Sequence, residues 1–184
     1  MKQIKLTGRA SGLAKALIDH LSSRGHQVQG YGKGDIDLEN TAAVIEKIKD
    51  ADIFINNANH KFTQTEILFH LFNEWKYDSK KIIINISSRA AQPNISKGYL
   101  YAAQKAALEH LANNLVYNTT GKRCRIVTIS LGLLNKEHNA LSYQQVAEAI
   151  ETLINQPETV EINHLSIQHA SCYQEVQALK AKKL

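Results

Sequence analysis

The feature that most constrains this chain is an alternation of short apolar runs with segments whose apolar residues recur at helical spacing. Residues 4–6, 26–31, 53–55, 82–86, 125–130 and 160–167 read as strands, several of them continuous isoleucine-rich runs. Between them, Leu13, Leu17 and Leu21 fall four apart on one helical face, and Gly25 supplies the stop. Further helices are predicted over 41–49, 62–77 and 99–118, and over the face formed by Val146, Ile150, Leu153 and Ile154. A polar helix is expected to close the chain. Strands separated by helices require crossover connections, hence parallel strands with helices on both faces. Right-handed crossovers then give an α/β fold: a doubly wound, Rossmann-type parallel sheet, expected as one domain over 1–184. In such sheets the ligand crevice lies beyond the carboxyl ends of the strands, so the loops that follow strands carry the functional expectation.

Composition bounds the rest. Apolar residues make up 43% and charged residues 21%, as in a soluble globular chain. The formal charge of +5, partly from Lys180, Lys182 and Lys183, would suit nucleic acid, anionic lipid or a polyphosphate cofactor equally. Nucleic acid is not expected, because no helix-turn-helix signature, zinc motif or interleaving of basic and aromatic residues is present. Cys124 and Cys172 form no Cys-x-x-Cys pair, which predicts a reducing compartment without a disulfide framework. The first residues form too short an apolar run for a signal peptide, and no segment is long enough to span a bilayer. A cytoplasmic protein with no membrane partner is expected. The eight histidines show no metal-ligand spacing, so no metal site is expected, and His20 and His110 read as structural or exposed.

Directly after the first strand comes Thr7-Gly8-Arg9-Ala10-Ser11-Gly12-Leu13-Ala14, opening a helix. Glycines permit the tight turn and the close approach of backbone to a pyrophosphate, and the helix N-terminus offers free N–H groups. This segment resembles the Thr-Gly-x-x-x-Gly-x-Gly loop of the short-chain dehydrogenase/reductases, with Ala14 in place of the last glycine. The resemblance implies a nicotinamide dinucleotide held by Gly8, Arg9, Ser11, Gly12 and Leu13. Gly32 falls where an NAD-type carboxylate would end the second strand, and Lys33 follows it. Two cations, Arg9 and Lys33, and no acid at that place favour NADP(H) over NAD(H), although Asp35 and Asp37 are near enough in sequence to serve a ribose. Asp37 and Leu38 resemble the family's pair bordering the adenine. Asn56-Asn57-Ala58-Asn59 resembles its Asn-Asn-Ala-Gly motif, which places Asn57 and Ala58 beside the cofactor. Asn59 stands for glycine there and, as asparagine, tolerates a left-handed turn.

Ser88 ends the strand over 82–86, Tyr101 follows thirteen residues later, and Lys105 four after that. A spacing of four places Tyr101 and Lys105 on one helical face. A phenol with a pKa near ~10 is a poor base at neutral pH, and a neighbouring ammonium favours its ionised form. The family resemblance assigns Tyr101 as acid/base, Lys105 as the cation that lowers its pKa and holds the cofactor ribose, and Ser88 as the group orienting the substrate oxygen. Ser87 is a neighbouring hydroxyl that can substitute. Together these residues predict an NAD(P)(H)-dependent oxidoreductase acting on a small carbonyl or alcohol. A non-catalytic NADP(H)-binding regulator on the same fold is the alternative.

The chain also departs from the family. The family's catalytic asparagine on the preceding helix has no clear match; Thr63 or Gln64 occupies that region, and Asn73 lies too late. The chain is compact between Asn59 and the helix over 62–77. Ser130-Leu131-Gly132 replaces the usual Pro-Gly, with Gly132 expected at the cofactor, and Asn135 or Lys136 falls near the threonine that touches the nicotinamide. Only residues 134–141 are available for a substrate lid, which predicts an open pocket and modest selectivity, with Gln92, Asn94, Leu133 and Leu134 along its wall. Ile67, Leu68, Leu71, Phe72 and Trp75 carry more apolar surface than one buried face needs, which predicts a homodimer or homotetramer unless they simply pack on the sheet.

Overall fold

The computed structural model of the protein describes residues 1–92, 98–121, 123–134 and 140–170. Six strands, β1 (Gln3–Thr7), β2 (Gln27–Tyr31), β3 (Ile53–Asn56), β4 (Ile82–Ser88), β5 (Arg125–Leu131) and β6 (His164–Ile167), form one sheet in the order β2-β1-β3-β4-β5-β6. Every neighbouring pair is parallel. The connecting helices are α1 (Gly12–Ser23), α2 (Thr41–Ile48), α3 (Thr63–Trp75), α4 (Tyr99–Asn118) and α5 (Tyr143–Ile154).

Side chains alternate across each strand, and each face of this sheet carries its own core. Ile4, Leu6, Ile53, Ile55, Ile82 and Ile84 point to α1 and α5, where Leu13, Leu17, Leu21, Val146 and Ile150 meet them. Phe54, Ile83 and Ile126 point the other way, to Val44, Ile48, Ile67, Leu71, Leu108 and Ala112 of α2, α3 and α4. Burial on both faces explains why the strands read as near-continuous apolar runs rather than as alternating ones. The expected doubly wound, Rossmann-type sheet is therefore the fold.

Local signals act as their chemistry predicts. Ser11 caps α1 by accepting from Ala14 N–H at 3.1 Å. Gly25, at φ +83°, closes the same helix: its N–H reaches Ser22 O and the N–H of His26 reaches Leu21 O. Ser142 and Gln145 form a capping box on α5. His20 is structural, and it ties α1 to α5 through Glu151 at 2.7 Å.

Some expectations change. Ile67, Leu68, Leu71, Phe72 and Trp75 are all buried in the core against the sheet. The apolar excess on α3 is thus explained by packing, and the ground it gave for an intersubunit surface is gone. The last strand starts at His164, because Val160 belongs to a turn in which its N–H donates to Pro157 O. The doubly wound order places a third strand outside the second. Here β2 is an edge among the described residues, and α2 leads directly to β3 on the far side of β1. The chain is shortened on that flank as well as between Asn59 and α3, which starts at Thr63. The polar C-terminal helix, Cys172 and the tail lysines lie outside the described residues.

Order reverses at β1, with β2 on one side and β3 on the other, and a crevice opens there between the loops that leave β1 and β3. Leu17→Ala, at a fully buried position of α1, is expected to cost about 2–5 kcal/mol. Urea unfolding should show a lower midpoint with an unchanged slope.

Candidate active site

The two loops at the crevice are fastened to each other. Thr7 Oγ1, at the end of β1, accepts from Asn57 N–H at 3.1 Å and from Ala58 N–H at 2.9 Å. Asn57 Nδ2 returns a bond to Thr7 O at 2.8 Å. Gly8 then turns at φ +85°, and a Cβ there would stand 2.9 Å from Asn57 Nδ2. A Cβ on Gly12 would stand 2.3 Å from the ring of Tyr143. Backbone is therefore exposed where a side chain would fill the cradle. The first-turn N–H groups of Gly12 and Leu13 have no intrahelical acceptor and line the cleft. Asn59 does not adopt the left-handed turn expected of it. Among the described residues, the only non-glycine with positive φ is Lys61, at +48°.

The opposite wall comes from β4 and α4. Pleating separates the two serines. Ser87 is buried and donates to Glu109 Oε1 at 2.7 Å. Ser88 lies on the cleft and accepts from Ala90 N–H at 3.1 Å, capping the short turn Arg89–Ala91. This geometry favours Ser88 over Ser87 as the hydroxyl available to a ligand. Glu109 also accepts from Ser130 Oγ of β5 and from Gln92 Nε2 at 3.0 Å. Gln92, expected along the wall, is exposed and joins this network from its outer side.

Lys105 is only 3% exposed. Its Nζ donates to Gln64 Oε1 at 2.6 Å and to Ile86 O at 2.8 Å, and lies 5.5 Å from the centroid of the Tyr101 ring. Burial brings the Lys105 pKa down to about 8, opposed in part by the charge of Glu109. Tyr101 is 40% exposed and sits on the cleft. Gln64 is buried, and its amide nitrogen donates to Asn56 O at 2.6 Å and Ile86 O at 3.2 Å. Carbonyls at one end and an ammonium at the other fix the orientation of this amide. Thr63 instead donates to His60 O at 2.7 Å. Of the two alternatives for the family's asparagine, Gln64 is the one beside Lys105.

Gly8, Ser11, Gly12, Leu13, Asn57, Ala58, Ser88, Tyr101, Lys105 and Gly132 all border one cleft of about 310 Å3, and Leu134 lies on its rim. Gly132 holds β5 close to the chain after β6: its N–H reaches Ile167 O at 2.9 Å, and a Cβ would stand 2.8 Å from Gln168 Cβ. Arg9, Lys33, Asp37 and Leu38 do not border that cleft and gather beyond the end of β2. Leu38 packs on the core, and Asp37 accepts from Glu39 N–H at 3.0 Å. The premise of two cations and no acid there needs correction. The Asp35 carboxylate folds back to accept from Gly32 N–H at 2.7 Å and pairs with Arg9 at 3.1 Å. Asn94, Asn135 and Lys136 lie outside the described residues. Leu133 is half-exposed, and its carbonyl accepts from Leu141 N–H at 2.9 Å, closing the base of the segment expected as a lid.

Exposed backbone donors on a glycine cradle, beside a buried ammonium, fit the polyphosphate and ribose of a dinucleotide. A family model described as short chain dehydrogenase matches residues 57–147. The fold is that of a Rossmann-type α/β protein, and over residues 57–147 the chain is similar to the short-chain dehydrogenases. Serine dehydrogenase from Escherichia coli is similar in structure at 20% identity, with 93% of this chain and 100% of that chain covered and a TM-score of 0.75. A closed form of serine dehydrogenase complexed with NADP+ aligns at 18% identity over 93% and 96% of the two chains, with a TM-score of 0.80. The 3-alpha-hydroxysteroid dehydrogenase from Pseudomonas sp. B-0831, complexed with NADH, aligns at 20% identity over 90% and 94%, with a TM-score of 0.70. At these identities the likeness establishes the fold. No protein of curated function matches the sequence.

Gln64→Leu keeps the bulk but removes an acceptor from a buried cation and a donor from two carbonyls. It is expected to cost about 1–3 kcal/mol, read as a lower denaturation midpoint.

Proposed function

We propose that this chain is an NAD(P)(H)-dependent oxidoreductase that interconverts a carbonyl and an alcohol on a small molecule, with NADP(H) the favoured cofactor. The observation that carries this reading is the setting of Lys105, a buried ammonium held between Gln64 and Ile86 O, one helical turn from Tyr101 on the cleft shared with Ser88 and the glycine loop. The bound nicotinamide supplies or takes the hydride. Tyr101 exchanges a proton with the substrate oxygen, Ser88 hydrogen-bonds and orients that oxygen, and Lys105 provides the positive charge against which the phenol releases its proton. Gly8, Ser11, Gly12 and Leu13 would receive the pyrophosphate, and Lys105 would also reach a ribose hydroxyl. Asn57, Ala58 and Gly132 would border the cofactor, Asp37 and Leu38 would border its adenine, and Arg9 and Lys33 would meet a 2′-phosphate. The alternative of a non-catalytic sensor draws on the missing asparagine and on the short lid. Gln64 beside Lys105 weakens the first of these grounds.

Cofactor oxidation against a panel of ketones, aldehydes, quinones and pterins tests the reading. Tyr101→Phe is expected to lower turnover by at least about 10²-fold while cofactor affinity is unchanged. Tight cofactor binding with no turnover on any member of the panel would favour the sensor. The pH dependence has a defined sign. The Lys105 ammonium is present below a pKa of about 8 and lost above it, so kcat/KM, which reports the free enzyme, should fall as pH rises through that value.

A further inference from the structure

We propose that Asp35 is a specificity-determining residue that restrains the preference for NADP(H), because its carboxylate occupies the guanidinium of Arg9 that a 2′-phosphate would need. This rests on the cofactor reading above and deepens it. The trough that makes the pair possible is built from glycines. A Cβ on Gly30 would stand 2.9 Å from Arg9 Cβ, and one on Gly32 would stand 3.2 Å from Arg9 Nε and 3.3 Å from Arg9 Cγ. The Arg9 stem therefore lies across two bare positions at the end of β2. Its backbone is fixed as well, since the N–H groups of Gly8 and Arg9 both donate to Tyr31 O, at 2.7 and 3.1 Å. Arg9 Nη1 meets Asp35 Oδ2 at 3.1 Å, and the same oxygen accepts from Gly32 N–H at 2.7 Å. That oxygen is 3.6 Å from where a Gly32 side chain would begin. Gly32 lacks an acid of its own, and Asp35 delivers one to its place from three residues downstream.

A carboxylate at this position can accept from ribose hydroxyls, which suits NAD(H), whereas an arginine suits the 2′-phosphate of NADP(H). A phosphate carries more charge than a carboxylate and can displace it from Arg9. The carboxylate remains pinned by Gly32 N–H, however, so the phosphate then sits beside a like charge, which opposes binding. Both cofactors are thereby usable, and Asp35 sets how far apart their affinities lie.

The test is the ratio of dissociation constants for NADH and NADPH, read by fluorescence titration of the full chain. Asp35→Asn keeps the acceptor for Gly32 N–H and removes the charge. It should raise selectivity for NADPH by about tenfold or more, the tenfold step being roughly 1.4 kcal/mol. Arg9→Gln should shift the ratio by a similar factor toward NADH. The pair is half-exposed, so Asp35→Asn should melt close to the wild type, and a changed ratio then reports specificity rather than folding. A ratio within twofold of wild type in Asp35→Asn overturns the proposal. Failure of the wild-type chain to bind either cofactor would instead overturn the function proposed above.

Discussion

The burial of the Lys105 ammonium is the constraint around which the site is arranged. A charge withdrawn from water is tolerated only where donors and acceptors replace its hydration. Here two of the acceptors come from different elements: Gln64 from the start of α3 and the Ile86 carbonyl from β4. Gln64 in turn bonds back to Asn56 at the end of β3. One cation thus joins α3, α4, β3 and β4 at the carboxyl edge of the sheet, and the position of Tyr101 one turn earlier follows from it. Behind this lies a second polar layer. Glu109, one turn beyond Lys105, collects hydrogen bonds from Ser87, Ser130 and Gln92. That network holds the end of β4, and with it the strand position from which Ser88 faces the cleft.

Much of this was legible in the sequence because the relevant physics is local. Isoleucine runs, four-residue leucine spacing and Gly25 specify elements within a few residues of themselves. The glycine loop and the Tyr101–Lys105 pair lie within single segments whose backbone geometry follows from their own residues. The choices left open, and the expectations that change, arise where tertiary contact decides. The choice between Thr63 and Gln64 depends on which side chain α3 turns toward Lys105. The choice between Ser87 and Ser88 depends on the pleat of β4. Trp75 and its neighbours look excessive for one helix face, until the phenylalanine, valine and isoleucine residues of α2 and the sheet are counted as their partners. The left-handed residue after β3 is Lys61 rather than Asn59, because the chain turns at the entry to α3 and not directly after the motif.

Asp35 stands near enough in sequence to serve a ribose, but its pairing with Arg9 was hidden for a different reason. Its sequence position, three residues past Gly32, gives no sign that its carboxylate returns to the end of β2. Gly30 and Gly32 gave a faint signal, since two glycines bracketing the end of a strand suggest that something passes closely over it. What passes is the side chain of Arg9, from the neighbouring loop. Family motifs describe which residue type stands at a position, whereas this site places the relevant charge by folding a nearby residue into that position.

The placement of β2 at the sheet margin gives that arrangement a further significance. β2 is a five-residue strand with exposed Gln27 and Gln29, and it is anchored through β1 alone among the described residues. The turn proposed to discriminate between cofactors therefore hangs from the periphery of the sheet, whereas Ser88, Tyr101 and Lys105 stand on β4 and α4 nearer its centre. Substitutions around Gly32 and Asp35 can accumulate with little disturbance to the buried interior. On the proposed reading, cofactor choice is a separable trait, open to evolutionary drift or to engineering independently of the chemistry proposed for Tyr101.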